Sequence, residues 1–281
     1  NNLKKYFYIF MIFNLFSLLI IIFLVVNQFI FKSYPNKNSV KAHISFRNDI
    51  NNKNIYYNDI YCRYIHDKLK NRTQPFEYEE ELLFIIDLIE CDIPFSLIRF
   101  ADGENSIMMG KELRGIDKWN WNYNNKKFRD SLIESANICS INNNFIGIPC
   151  KDWIKISESI LSFSNCTSAK YMSFSTVFTN KNFYYFNRWI NRYIYSSKRR
   201  KIILVANSEI NKDISWAYVF FPIPFNLVDK WEEYSPLLLS NLSNLAKQQN
   251  LIFFISAGPA SNIIISYLIK INNKNIYIDF G

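Results

Sequence analysis

Between residues 79 and 281, short apolar runs alternate with longer segments of helical periodicity, and this alternation constrains the fold most. Runs such as residues 95–100 (FSLIRF), 201–206 (KIILVA) and 251–256 (LIFFIS) are apolar on both faces, which is typical of parallel strands covered by helices on either side. Residues 79–91 (EEELLFIIDLIEC) instead repeat their apolar positions at helical spacing. The pattern predicts an α/β domain with a Rossmann-like, mostly parallel sheet flanked by helices.

The other predicted elements follow the same alternation. We expect further helices over residues 126–139, 152–163, 183–195, 231–249 and 259–270, and further strands over residues 145–148, 170–174, 216–222 and 276–280.

An uncharged apolar segment, residues 6–31, precedes this domain. As a helix its 26 residues would measure roughly 39 Å, more than the roughly 30 Å of bilayer hydrocarbon, so we predict a transmembrane anchor behind a short tail of residues 1–5. A cleaved signal peptide is the alternative, but its apolar core is normally roughly 7–15 residues and a small-residue cleavage site is missing here. Basic residues flank the segment on both sides and leave its orientation open.

Residues 32–78 are rich in Asn and mixed charges, and we predict a stem or linker there with a short helix near residues 60–69. Of the net charge of +9, residues 1–5 carry +2, residues 32–78 carry +5 and residues 79–281 carry +2. A domain that binds nucleic acid would concentrate basic residues on its folded part, so we expect no nucleic-acid partner. The excess charge beside the anchor favours anionic lipid headgroups instead.

The five cysteines and two histidines show no zinc-ligand spacing. Cys139 and Cys150 are candidates for a disulfide if the domain faces an oxidising lumen, and otherwise the scattered cysteines are expected to be small buried apolar residues. Glycosylation sequons begin at Asn71, Asn165 and Asn241, although a chain this rich in Asn produces such matches by chance.

Ligands of open α/β sheets bind beyond the carboxyl ends of the strands, so residues directly after strands are the candidates. Asp102 and Glu104 follow the strand at 95–100 and are separated by Gly103, which lets both carboxylates converge on a hard cation such as Mg²⁺ or Mn²⁺. Arg99 would bind a phosphate or pair with these carboxylates. A glycine turn with solvated acids is the alternative, because D-x-E is a common pattern.

Two further strand ends carry candidates. The turn at residues 256–260 (SAGPA) opens a predicted helix, where backbone amides suit phosphate oxygens, but a tight turn without a ligand fits equally well. Asp279, at the end of the last strand, either points into the same crevice or forms a turn. The loop at residues 176–183 either contacts a donor sugar or is a plain Asn-rich loop.

Six blocks, taken in order, resemble the GT-D-fold glycosyltransferases, a family first catalogued as a domain of unknown function. The first, SLIRFADGENSIMMGK, resembles the strand and D-x-E block of that family. The others are NFIGIPC at 144–150, KYMSFSTVFTNKNFYYF at 170–186, KIILVAN at 201–207, ISAGPASNIIISYL at 255–268 and NIYIDFG at 275–281. Together they cover nearly all of residues 79–281, although the chain stops where family members commonly continue, as expected for a fragment.

The resemblance implies a metal-dependent glycosyltransferase that moves a sugar from a nucleotide donor, a UDP-sugar. Together with the predicted anchor and stem, it indicates a membrane-anchored enzyme whose acceptor is a glycan, glycoprotein or lipid-linked glycan. It implies that Asp102 and Glu104 bind the divalent metal (Mn²⁺ or Mg²⁺), with Ala101 standing where the family usually has glycine. The nucleotide-sugar site it implies comprises Arg99, Phe100, Gly103, Gly110, Asn180, Asn182, Gly258, Pro259 and Asp279.

The catalytic base is not singled out by the sequence, since Glu209, Asp213 and Asp279 all qualify. The alternative function is a non-catalytic, membrane-anchored interaction protein that retains the fold. A Rossmann-like methyltransferase is disfavoured, because no glycine-rich cofactor turn follows an early strand.

Overall fold

The computed structural model describes residues 55–281 except 117–118, 139–142, 150–153, 167, 197–199 and 210–213. The predicted tail, the anchor at 6–31 and residues 32–54 of the stem lie outside the described residues, as do Cys139, Cys150 and Asp213. Within the described part, no helix is both long and apolar enough to cross a membrane. Residues Ile55–Gly281 form one compact unit.

Eight helices and nine strands are described in this unit. The helices are α1 (Ile55–Lys70), α2 (Tyr78–Glu90), α3 (Asp102–Met108), α4 (Lys126–Ser135), α5 (Ile154–Ser162), α6 (Asn182–Ser196), α7 (Trp231–Ala246) and α8 (Ala260–Ile271), with a 3₁₀ turn at Ala169–Tyr171. The strands are β1 (Ser96–Arg99), β2 (Leu113–Ile116), β3 (Trp119–Trp121), β4 (Asn144–Ile148), β5 (Met172–Phe174), β6 (Lys201–Asn207), β7 (Val219–Ile223), β8 (Leu251–Ile255) and β9 (Ile276–Asp279).

Seven strands form one sheet in the order β5-β4-β1-β9-β8-β6-β7, and all its neighbouring pairs are parallel. The predicted α/β architecture is therefore confirmed. The short antiparallel pair β2–β3 forms a separate hairpin that the periodicity did not predict. Because β1 lies beside β9, the first and last strands of the sheet meet near its centre. Strands β4 and β5 extend the sheet beyond β1, and strands β8, β6 and β7 extend it beyond β9.

Helices cover both faces of the sheet because successive strand residues point to opposite sides. Ile98 of β1 belongs to the buried cluster that includes residues of α4, α7 and α8. On the other face, Phe145 of β4 packs edge-to-face against Phe84 of α2, with ring centroids 6.4 Å apart. Every residue of β8 and β9 is buried, as expected for central strands.

Residues 55–78, assigned above to the stem, pack with the domain, so the compact unit begins at Ile55 and not at residue 79. The predicted short helix is the longer α1, and a disulfide joins its Cys62 to Cys91, with Cα atoms 5.2 Å apart. The buried Arg72 guanidinium pairs with Glu81 of α2 at 2.9 Å. Local periodicity does not reveal such links between side chains distant in sequence, and this is why the sequence predicted a domain boundary at residue 79.

Candidate active site

The D-x-E segment forms the first turn of α3, directly after β1. Ala101 precedes the helix with φ −131° and ψ −159°, an extended conformation that any L-residue adopts, so alanine in place of glycine causes no strain here. The Glu104 carboxylate (Oε2) accepts a hydrogen bond from the Ala101 N–H at 2.9 Å and so caps the helix. Asp102 is exposed at the first helical position, while Gly103 is buried.

Arg99, the last residue of β1, extends its side chain across the carboxyl edge of the sheet. Its Nη1 donates to the Ser175 carbonyl at 2.9 Å, and its Nη2 pairs with Asp279 Oδ1 at 3.4 Å. The guanidinium also lies over the Phe178 ring, 5.8 Å from its centroid. Its buried Nε has no hydrogen-bond partner among the described residues. Arg99 therefore connects β1 to β9 and to the loop after β5.

Gly147 of β4 makes room for this arginine. A Cβ atom at Gly147 would lie 3.1 Å from Arg99 Cγ and 3.1 Å from the Phe174 carbonyl oxygen, closer than ordinary van der Waals contact. The path of the Arg99 side chain thus depends on a glycine in the neighbouring strand.

Asn262 of α8 fixes the backbone at the end of β1. Its buried amide donates from Nδ2 to the Arg99 carbonyl at 2.9 Å and accepts at Oδ1 from the Arg99 N–H at 3.3 Å. Both backbone groups of Arg99 are therefore held by one side chain from the helix that follows β8.

The SAGPA turn connects β8 to α8 on the same edge. Gly258 has φ +55°, a left-handed conformation that favours glycine, and Pro259 lies at the N-cap of α8. The Ser261 hydroxyl accepts from the Ala257 N–H at 2.9 Å, and the Ser256 hydroxyl donates to the Gly281 carbonyl. The turn therefore adjoins the end of β9, beside Asp279.

Two carboxyl groups of this edge, Glu104 and Asp279, have raised pKa values. Burial is the main cause that raises the pKa of Glu104 to about 7, and the nearby Asp279 carboxylate adds to it, while the Ala101 N–H and Arg99 oppose it. Burial also raises the pKa of Asp279, against the opposing effect of Arg99. The edge therefore concentrates negative charge at a place where water stabilises it poorly.

The oxygen ligands at this edge fit a Mg²⁺ or Mn²⁺ ion. Asp102 and Glu104 are hard donors in the first turn of α3, and a cation would relieve the repulsion between Glu104 and Asp279. Among the described residues, no three His, Cys, Asp or Glu side chains are grouped closely enough to hold a metal by themselves. This donor set fits an ion held by one or two carboxylates and completed by substrate phosphates.

Comparison with known proteins bears on this arrangement. No protein-family model and no curated protein matches the sequence. A solved structure of the highly conserved domain of unknown function 1792, described as a distinct glycosyltransferase fold, matches 71% of this chain and 76% of its own, with TM-score 0.51 and 17% identity. The chain has this glycosyltransferase fold. A selenomethionine structure of the same domain aligns over the same shares, with TM-score 0.48 and 19% identity.

The GT-D-type fold brings part of the predicted site together. Arg99 pairs with Asp279, the charges of both act on the Glu104 carboxyl group, and the Gly258–Pro259 turn adjoins the end of β9. Phe100 is fully buried and contributes to the core. Gly110 ends α3 with φ +73° and lies beside Arg129, which donates to the Met108 carbonyl at 2.9 Å.

Two residues predicted to bind the donor, Asn180 and Asn182, differ in their surroundings in the loop after β5. Asn182 is fully buried, and its amide donates to the Tyr78 and Val177 carbonyls at 3.0 and 2.9 Å, so it holds the loop in place. Asn180 is exposed, with φ +53°. Because Phe178 of this loop contacts Arg99, the loop adjoins the candidate site.

Sequence reasoning missed three residues of this arrangement: Gly147, Ser175 and Asn262. A glycine inside the apolar run NFIGI was a signal of close backbone approach at Gly147. Asn262 stood out as a polar residue in an apolar helix. Ser175 contributes only its backbone carbonyl, which carries no sequence signal.

Proposed function

We propose that this protein is a membrane-anchored, metal-dependent glycosyltransferase that transfers a sugar from a UDP-sugar to a glycan, glycoprotein or lipid-linked acceptor. One observation carries the proposal: in a glycosyltransferase fold, the ends of β1, β8 and β9 meet and bring Arg99, Glu104 and Asp279 together beside a small-residue turn. Nucleotide ligands of α/β sheets bind at such an edge.

Each group has a chemical role suited to a diphosphate donor. Asp102 and Glu104 would hold the divalent ion, which supplies positive charge against the diphosphate as the sugar leaves. The amides of the turn at Gly258 suit phosphate oxygens, since small residues let the ligand approach the backbone. Arg99 positions Asp279 through their ion pair and keeps that carboxylate oriented at the edge.

A donor panel tests the proposal on the full chain. We expect Mn²⁺-dependent release of UDP from one UDP-sugar, followed by mass spectrometry, and a fall of at least about 100-fold in kcat/KM for Asp102→Asn and Glu104→Gln. Glu158→Gln is the matched control, because this exposed acid lies on α5 outside the cluster. Full activity in both site variants contradicts the metal role.

The same panel separates the alternative function. The absence of any thermal shift with UDP and Mn²⁺, together with no turnover of any donor, would favour a non-catalytic interaction protein. The anchor is tested separately: we expect the full chain to stay with membranes after alkaline carbonate extraction, whereas release into the soluble fraction contradicts an anchor at residues 6–31.

A further inference from the structure

We propose that the compact unit folds in the oxidising lumen of a secretory compartment, where Asn71, Asn165 and Asn241 carry N-linked glycans. The proposal rests on two independent features of the described residues, the cysteine bonds and the positions of the sequons. It assigns modification sites and a compartment that do not depend on the proposed enzymatic activity.

The cysteines provide the first line of argument. The Cys62–Cys91 disulfide links α1 to the end of α2 across 29 residues of sequence. Cys166 is also disulfide-bonded. Disulfides persist in oxidising compartments and are rare where glutathione and thioredoxin keep thiols reduced. More than one disulfide in a single domain is therefore typical of a protein that folds outside the cytosol.

The sequons provide the second line. Asn71, Asn165 and Asn241 are all exposed. Burial would forbid a glycan, because the glycan is large and needs solvent. Four described asparagines are buried, and none of them begins a sequon: Asn144, Asn182, Asn262 and Asn275. Every sequon of the described chain is thus compatible with a glycan in the folded state.

Two of the three sites lie away from the candidate active edge. Next to Asn71, Arg72 donates to the carbonyl of Met172, the first residue of β5, at the amino end of that strand. The Asn165 N–H donates to the Asn137 side chain at 2.7 Å, close after the end of α4 and before β4 begins. Glycans here would leave the carboxyl ends of the strands open to substrate.

Asn241 lies on the exposed face of α7, between the buried residues Leu238 and Leu242. Its side chain therefore points away from the core, and a glycan there would project into solvent. The third site is thus also sterically open.

The test is expression of the full chain, with its own amino terminus, in cells with a eukaryotic secretory pathway. We expect peptide-N-glycosidase F to increase gel mobility, and single Asn71→Gln, Asn165→Gln and Asn241→Gln substitutions each to remove one step of a three-step ladder. Thr73→Ala should remove the same step as Asn71→Gln. Asn187→Gln is the matched control, because Asn187 is exposed and also followed by Arg but begins no sequon.

The disulfide is read from the same samples. In denaturant without reductant, we expect a maleimide-polyethylene glycol reagent to add equally to the wild type and to the joint Cys62→Ser, Cys91→Ser variant; after reduction, the wild type should carry two more additions than the variant. Unchanged mobility after the glycosidase overturns the glycan assignment, and two more additions to the wild type than to the double variant before reduction overturn the compartment. Neither readout requires activity, so a failed donor panel leaves this proposal standing.

Discussion

Glu104→Gln should make the metal-free protein more stable while it removes activity. The amide keeps the shape of the carboxylate, and its oxygen still accepts from the Ala101 N–H, so the cap on α3 survives. Only the negative charge beside Asp279 is lost. The substitution therefore isolates the energetic cost of ionising this buried group.

The size of the effect follows from the pKa. A carboxyl group with a pKa of 4.5 when unfolded and about 7 when folded binds its proton more tightly in the folded state. The free energy of unfolding then falls as pH rises from about 4.5 to about 7, because the unfolded chain ionises first. The difference of about 2.5 pKa units corresponds to about 3 kcal/mol at pH 8, and Glu104→Gln escapes this loss.

Urea unfolding with a chelator at pH 4.5 and pH 8 measures the difference. We expect Glu104→Gln and the wild type to be equally stable at pH 4.5, and the variant to be more stable by up to about 3 kcal/mol at pH 8. Asp102→Asn is the control, because Asp102 is exposed and its replacement should leave stability nearly unchanged. A stability difference that does not change with pH would refute the reasoning.

Three further predictions test the packing around the site and the domain. Gly147→Ala should cost about 1–3 kcal/mol of stability and lower kcat/KM, because its Cβ would press on Arg99, 3.1 Å from Cγ; wild-type values in both assays would contradict the close approach. Burial raises the pKa of Tyr277 to about 12, so the unfolded chain ionises first as pH rises. In urea unfolding, the free energy of unfolding of the wild type should fall by about 1.4 kcal/mol more than that of Tyr277→Phe between pH 8 and pH 11. Parallel pH profiles of the two proteins would contradict the raised pKa. Joint Cys62→Ser and Cys91→Ser substitution should cost about 3–4 kcal/mol, the loop-closure value for a separation of 29 residues. Dithiothreitol should therefore destabilise the wild type by more than it destabilises this variant.

The sheet was predictable because its strands are short, apolar on both faces and separated by helices. The prediction over residues 251–256 matches β8 (Leu251–Ile255), and that over 276–280 matches β9 (Ile276–Asp279), each to within one residue. The hairpin β2–β3 was missed because its strands are only four and three residues long. Local periodicity predicts elements only where a core face extends over several residues.

The candidate site was predictable only in part. Asp102, Glu104 and Asp279 stood out because they follow strands, and topology then placed them at one edge. The sequence prediction placed Asn182 in the nucleotide-sugar site, because sequence alone does not distinguish an amide that binds a ligand from one that donates to backbone carbonyls in the interior. The dependence of Arg99 on Gly147 is a contact between strands 48 residues apart, for which the sequence contains no pairwise signal.

Only a few charged groups determine the electrostatics of the site, but these groups come from parts of the chain that are far apart in sequence. Residues 79–281 carry a net charge of only +2, so the balance of charge at the edge is set by the few groups around Arg99. Those groups come from the first and last strands of the sheet, and Asp279 reaches Arg99 only when β9 inserts between β1 and β8. Without that insertion, Arg99 lacks the carboxylate with which it pairs, and Glu104 lacks the Asp279 charge that adds to the effect of burial on its pKa. The charge balance of the site therefore depends on the completed sheet, which brings Asp279 beside Arg99.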